Sequence, residues 1–392
     1  MVELNPYSWD FHEDPYPIYR ALRDEAPAYY NEELGFWALS RHADVLDGFR
    51  RPHTFSNSQG VALEALSEHA HHVMSMLAMD PPQHGKVRGL VSKVFTPRRV
   101  RALEPAIRAR SVELIDAFVE RGEAEFIDDF AGILPMDVIS EIIGIPAVDR
   151  AEIRRLADLV VHREGGRPEV PPEGAAASGK MLAYLRDNVA ERRKRGGGDT
   201  MTDGLLVAEI DGERLTDNQV VAFLFLMSIA GNETTTKLLG NAMVCLQRNP
   251  DEREKVDRDP AEIANWVEET LRYEASSQML YRVMGEDFEL HGKTLRAGEP
   301  VALIVGAANR DERAFDAPDR FDLSRSFKQS LAFGQGTHFC LGASLARLEG
   351  RVALEEVQKR LKYWHIDESR LERMHSGNVR GYAHVPITFT AG

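Results

Sequence analysis

Cysteine is almost missing from this chain: 392 residues contain two, Cys245 and Cys340. A disulfide framework is thereby excluded as an organising device, and a reduced compartment fits. Cations are in deficit as well. Lys and Arg total 48 against 62 Asp and Glu, a net charge of −14. Phosphate recognition needs clustered cations, so neither nucleic acid nor an anionic membrane surface is an expected partner. Long apolar runs are lacking too. The longest lies around Val220–Ala230 and is too short to span a bilayer, so no membrane anchor is expected. The start, Met1-Val-Glu-Leu-Asn, has neither the basic nor the apolar segment of a signal peptide. No internal repeat is visible. These absences lead us to expect a cytoplasmic, monomeric protein with residues 1–392 as one domain. What is present, 43% hydrophobic and 28% charged residues, suffices for a large core with room for an internal cofactor.

Periodicity predicts a mainly α fold with a minor β region. Tyr29–Tyr30 and Phe36–Leu39 flank a turn and read as a hairpin. Helices are predicted over Val100–Arg121, Pro135–Ile143, Arg150–Arg163, Lys180–Arg195, Pro260–Tyr273 and Ala343–Leu361. Asp259 is the expected N-cap before Pro260. Strand-like pieces lie at Phe288–Leu290, Thr294–Leu295, Val301–Ile304 and Ile387–Thr390. The Gly, Pro and Ala-rich segment Gly165–Gly179 reads as a loop, either a solvated linker or a lid over an entrance. Thr216-Asp-Asn-Gln219 fits a capping box and opens a helix that can run to Arg248, where Asn249-Pro250 stops it. At 1.5 Å per residue its roughly 32 residues span about 48 Å, enough to cross the molecular centre.

Residues 333–342 read F-G-Q-G-T-H-F-C-L-G. A lone cysteine is ordinarily an inert core residue. Here Gly334, Gly336 and Gly342 clear side chains from around the sulfur, so a flat cofactor can approach the backbone. The helix that follows would set its N–H groups and dipole beside Cys340 and stabilise a thiolate. Zinc would need three more N or S ligands at suitable spacing. A cysteine protease would need a base for which the turn has no obvious place. A single axial thiolate on haem iron needs one cysteine only.

The decapeptide resembles the haem-binding signature of the cytochrome P450 family, F-G-x-G-x-H-x-C-x-G, at every fixed position. Further motifs extend the resemblance over essentially the whole chain. Ala230-Gly-Asn-Glu-Thr234 is similar to the family's A-G-x-[D/E]-T oxygen-activation motif, with Glu in the acid position. Without a task, a carboxylate among poor helix formers inside an apolar helix would be costly. By resemblance Thr234 opens a groove beside the iron and Glu233 relays protons. Glu269-Thr-Leu-Arg272 resembles E-x-x-R, and Arg320 in Pro318-Asp-Arg-Phe-Asp322 matches the third member of that structural network. The resemblance implies haem b, with Cys340 on the metal. His84, Arg88, Arg282 and His338 would hold the propionates, and Ala230, Phe333 and Gly334 would touch the macrocycle. Ala308-Asn-Arg-Asp311 and Arg380-Gly381 match architectural landmarks.

The implied function is a cytochrome P450 monooxygenase that inserts one oxygen atom of O2 into a hydrophobic small molecule by hydroxylation or epoxidation. Electrons would come from a ferredoxin with an NAD(P)H-dependent reductase. Lys93, Arg98, Arg99, Arg347 and Arg351 are candidate basic residues for docking it. Cavity candidates are Val61–Met79, Leu226, Met227, Ala230, Ser277–Leu280 and Val379. Met74, Met76, Met79, Met227 and Met279 suggest a soft lining for a steroid, terpenoid or polyketide of secondary metabolism. The alternatives are a peroxide-driven peroxygenase and a non-catalytic haem-binding gas sensor. Glu233 and Thr234 speak against the first, and the lack of an output domain against the second.

Overall fold

The computed structural model describes residues 2–164 and 169–392. Helices dominate it, and the helices that build the site are numbered here in chain order. They are α1 (Gln83–Val91), α2 (Leu134–Ile143), α3 (Arg150–Val161) and α4 (Pro172–Arg195). After these come α5 (Asp217–Ala230), α6 (Glu233–Gln247), α7 (Ile263–Tyr273) and α8 (Ala343–Arg360).

The expected central helix is two helices. Thr216 and Gln219 form the capping box at its start, each side chain serving the other's backbone N–H. The axis breaks at Gly231-Asn232. A Cβ on Gly231 would lie 2.9 Å from the Met227 carbonyl and 3.0 Å from Ile139 on α2, so only glycine fits this crossing. Val220–Phe225 and Thr235–Leu246 are buried nearly throughout, which places α5 and α6 in the main core. Leu134–Ile143 starts one residue before its predicted Pro135 and ends at Gly144 with φ +84°, an αL cap.

Two predicted boundaries fail for local reasons. Val100–Arg121 divides into Pro97–Ala102, Glu104–Asp116 and a 3-10 turn, because Pro105 opens a new first turn. The predicted Gly165–Gly179 loop is helical from Pro172 onward. Proline at the first turn and Ala175-Ala176-Ala177 favour helix enough to carry the glycines. Gly174 sits where α4 crosses α3, and a Cβ there would come within 2.8 Å of the Leu159 carbonyl. Residues 165–168 of that segment lie outside the described residues.

The β region stands to one side. A five-stranded sheet has the order Ala28–Asn31, Phe36–Leu39, Pro300–Leu303, Leu280–Met284, Phe55–Ser56, and its first pair is the predicted hairpin. Leu361–Ile366, Pro386–Ala391 and Glu123–Glu125 form a second sheet in that order. Two smaller cores lie on the five-stranded sheet, one with Trp37, Leu39 and Val301, the other with Phe36, Ala38 and Met279. No helix among the described residues is long and apolar enough to cross a membrane.

Candidate functional site

The chain returns to the core at the cysteine loop. Gly334 and Gly336 take φ of +66° and +69°, which L side chains rarely adopt. A Cβ on Gly336 would stand 2.6 Å from the Phe49 carbonyl, so the loop packs directly on backbone. The Cys340 N–H donates to the Phe333 carbonyl at 2.9 Å, and α8 begins three residues later. Around the thiol, burial raises the pKa. The Gly342 and Ala343 N–H groups and the Arg88 and Arg347 cations oppose it. The sulfur is surrounded by protein, yet Cys340 is accessible to solvent.

A group of bases gathers beside this loop. The His84 and His338 rings lie 4.1 Å apart. Both ring nitrogens of buried His84, and Nε2 of His338, have no hydrogen-bond partner. Burial lowers the pKa of His84 to about 4, with Arg88 adding to the shift and Asp80 opposing it. His338 falls to about 3 through burial first, then His84, Arg282 and Arg88. Burial also brings Arg282 down to about 10, opposed by Asp80. Arg282 donates to the Tyr281 carbonyl at 2.7 Å. Buried donors without an anion are costly, and the donors here suit a cofactor that carries carboxylates. Arg88 meets the same loop differently, donating to the carbonyls of Thr337 at 3.3 Å and Phe339 at 2.7 Å.

The second half of the site is the break between α5 and α6. Ala230 is exposed although most of its helix is buried. Thr234 Oγ1 donates to the Ala230 carbonyl at 2.9 Å. Glu233 is 1% exposed; its Oε1 accepts from Asn232 at 3.1 Å, while Oε2 has no partner. Lys237 Nζ stands 3.7 Å from that oxygen.

One predicted member of the structural network is replaced. Glu269 and Arg272 are fully buried and doubly bonded at 2.7 Å. Arg320, predicted to join them, turns its side chain outward, 66% exposed and 3.8 Å from Glu252. Only its carbonyl enters, accepting from Arg272 at 3.1 Å. The chain curls back after Phe321, and Arg325, 9% exposed, reaches Glu269 at 3.4 Å. No sequence signal separated two arginines five residues apart in one loop.

The predicted basic patch is also smaller. Arg347 pairs with Glu268, and Arg351 with Glu104 and Glu355. Lys93, Arg98 and Arg99 remain exposed. Among the methionines, Met76 and Met227 belong to the main core and Met279 to the core over the sheet. Met79 lines a cavity of about 510 Å³ with Val87, Leu182, Arg186, Ala222 and Phe223.

A cysteine just before a helix, with unpartnered buried bases beside it, is an arrangement that could hold an acidic cofactor through sulfur. The family model described as Cytochrome P450 matches residues 177–378. Cytochrome P450 123 of Mycobacterium tuberculosis is 52% identical over 99% of this chain and 97% of its own. The vitamin D(3) 25-hydroxylase of Pseudonocardia autotrophica is 36% identical over 97% and 95%. The crystal structure of CYP109E1 from Bacillus megaterium in complex with testosterone superposes with a TM-score of 0.90 at 32% identity, covering 97% of this chain and 99% of that one. This chain belongs to the cytochrome P450 family, whose members are haem-thiolate monooxygenases.

Proposed function

We propose that this protein is a cytoplasmic monooxygenase that holds haem b through the Cys340 thiolate and oxidises a bulky hydrophobic molecule of steroid-like size. The observation that carries the reading is the accessible Cys340 beside the unpartnered nitrogens of His84 and His338. When bound, the haem supplies the activation of O2. The chain's own part is binding, orientation and protons. His84, Arg282 and His338 hold the propionates, Arg88 ties α1 to the cysteine loop, and Phe333, Gly334 and Ala230 leave room for the ring. Thr234 presents its hydroxyl at the helix break, with the Glu233 carboxyl behind it.

The substrate class rests on two supports. The related hydroxylase is named for vitamin D(3), and the solved neighbour holds testosterone. The 510 Å³ cavity is lined by Ala222 and Phe223, which lie one to two turns before Leu226 and Ala230 on α5. We assign electron supply to a ferredoxin with an NAD(P)H-dependent reductase, met by the face that bears exposed Lys93, Arg98 and Arg99.

Reduced protein under carbon monoxide is expected to show the strongly red-shifted Soret band of thiolate ligation. A band at the position of histidine ligation, or protein without haem after supplementation, overturns the reading. Adding a steroid should shift the resting Soret band to the blue.

A further inference from the structure

The cavity of about 510 Å³ has two unlike ends. Its inner wall is apolar, with Val87, Val91, Ala222 and Phe223 all buried. Val87 and Val91 follow His84 by three and seven residues, so one face of α1 carries both His84 and this wall. The outer end is polar: His72, Arg186, Asn218 and Gln219 line it and are exposed. Asn218 stands in the first turn of α5 and Ala230 at its end, about 18 Å apart along the axis.

Charge at this outer end has one sign. The chain carries a net −14, yet no Asp or Glu lines the cavity among the described residues. Further along the same helix, Arg192 pairs with Asp203 and Arg193 with Asp217. Arg186 pairs with nothing among the described residues. The positions three and four away on α4 are Leu182, Ala183, Val189 and Ala190, none of which can neutralise it. A second polar group waits in the wall. Ser75 is 4% exposed, and among the described residues its hydroxyl has no hydrogen-bond partner. Its backbone is held at φ +47°, a conformation L side chains rarely adopt. A buried hydroxyl without a partner costs free energy that a ligand oxygen would recover.

We propose that the cavity takes a bulky hydrophobic carboxylic acid. Its carboxylate meets Arg186 at the outer end, and its hydrocarbon body lies along the apolar wall toward Ala230. Ser75 offers the ligand a second polar contact. A lone guanidinium matches one charge and presents paired N–H groups to two oxygens, which is the geometry of a carboxylate. A phosphate monoester carries close to two charges and would call for a further cation. The inference narrows the substrate of the monooxygenase reading above and rests on that reading.

The test is equilibrium dialysis of the holoprotein against radiolabelled lithocholic acid and its methyl ester, which share one steroid body and differ in charge. The wild type should hold the acid about tenfold more tightly than the ester. Arg186→Gln should erase that preference by weakening the acid alone, and Arg186→Lys should restore part of it. Arg186 is an exposed helix position, so these variants keep the fold, and the wild-type preference is read without any variant. The inference is overturned if the wild type binds the ester as tightly as the acid, if it binds neither, or if Arg186→Gln keeps the preference. Dialysis registers binding and no haem chemistry. A thiolate carbon monoxide band without acid preference therefore sinks this inference and leaves the haem reading standing, whereas a missing band sinks the haem reading itself.

Discussion

Two buried acids, Glu269 and Glu233, sit on neighbouring helices under similar enclosure, and their surroundings differ in kind. Glu269 accepts two bonds from Arg272 at 2.7 Å, one from the Asp322 N–H at 2.9 Å, and meets Arg325. Every oxygen is satisfied, and Arg272 continues to the carbonyls of Asn309 and Pro318. Glu233 has one amide donor, an ammonium at 3.7 Å and a bare oxygen. A fully bonded ion pair holds a loop in place. An acid with spare acceptor capacity is free to take a further hydrogen-bond partner. The contrast separates a saturated carboxylate from an unsaturated one by hydrogen-bond inventory alone.

The largest expected effect falls on the lock. Arg272→Ala strands the Glu269 charge in the core and should cost about 3–5 kcal/mol of stability. Denaturant unfolding measures it, with loss of bound haem as the cysteine loop detaches. Stability within 1 kcal/mol of wild type would show that Glu269 is not the anchor. Glu233→Gln makes the opposite case. It should unfold at nearly the wild-type denaturant concentration, while product formation falls about 10²-fold because a proton donor is gone. A variant as unstable as Arg272→Ala would turn Glu233 into a second lock.

A third buried acid extends the comparison to pH. Glu274 is ringed by Arg380 at 2.7 Å, Arg373 at 3.1 Å and Arg310 at 3.4 Å. Burial raises its pKa, and the three cations outweigh this, bringing it down to about 2. Its folded value is below its unfolded value, so the stability it adds is complete at neutral pH. That stability is lost as pH falls from about 4.5 toward 2. Glu274→Gln should flatten this acid limb in unfolding curves taken between pH 5 and 2, whereas Glu233→Gln should leave it in place.

Much of this was legible from residues. The Gly-x-Gly turn before Cys340, the capping box at Thr216 and the Asp259 cap are local features, and each stands where the sequence placed it. The mainly α class followed from helical periods, and Phe36–Leu39, Pro300–Leu303 and Pro386–Ala391 from short apolar runs, whereas Phe55–Ser56, Glu123–Glu125 and Leu361–Ile366 were not foreseen as strands. What escaped depends on tertiary partners. The lack of a side chain at Gly231 makes room for Ile139 on another helix. The glycine at position 174 of α4 is explained only by α3 lying across it. Neutralisation of Arg347 and Arg351 draws on Glu268 and Glu104, which are distant in sequence.

The smallest effect tests the finest distinction, between Arg320 and Arg325. Both follow the same proline within seven residues, and the motif pointed to Arg320. Arg320 exposes most of its side chain and meets Glu252 at 3.8 Å, a geometry of little energetic consequence. Its contribution to the lock is a backbone carbonyl, which alanine keeps. Arg320→Ala should therefore stay within about 0.5 kcal/mol of wild type. Arg325 is nearly enclosed and donates to the carbonyls of Asp316 at 2.5 Å and Ala317 at 3.1 Å besides facing Glu269. Removing it leaves those carbonyls short of a donor and Glu269 still paired, an intermediate cost of about 1–3 kcal/mol. Urea titrations of the two variants side by side give the ranking. If Arg320→Ala is the more costly, the loop closes on Glu269 through the residue the motif named, and the lock as drawn here is wrong.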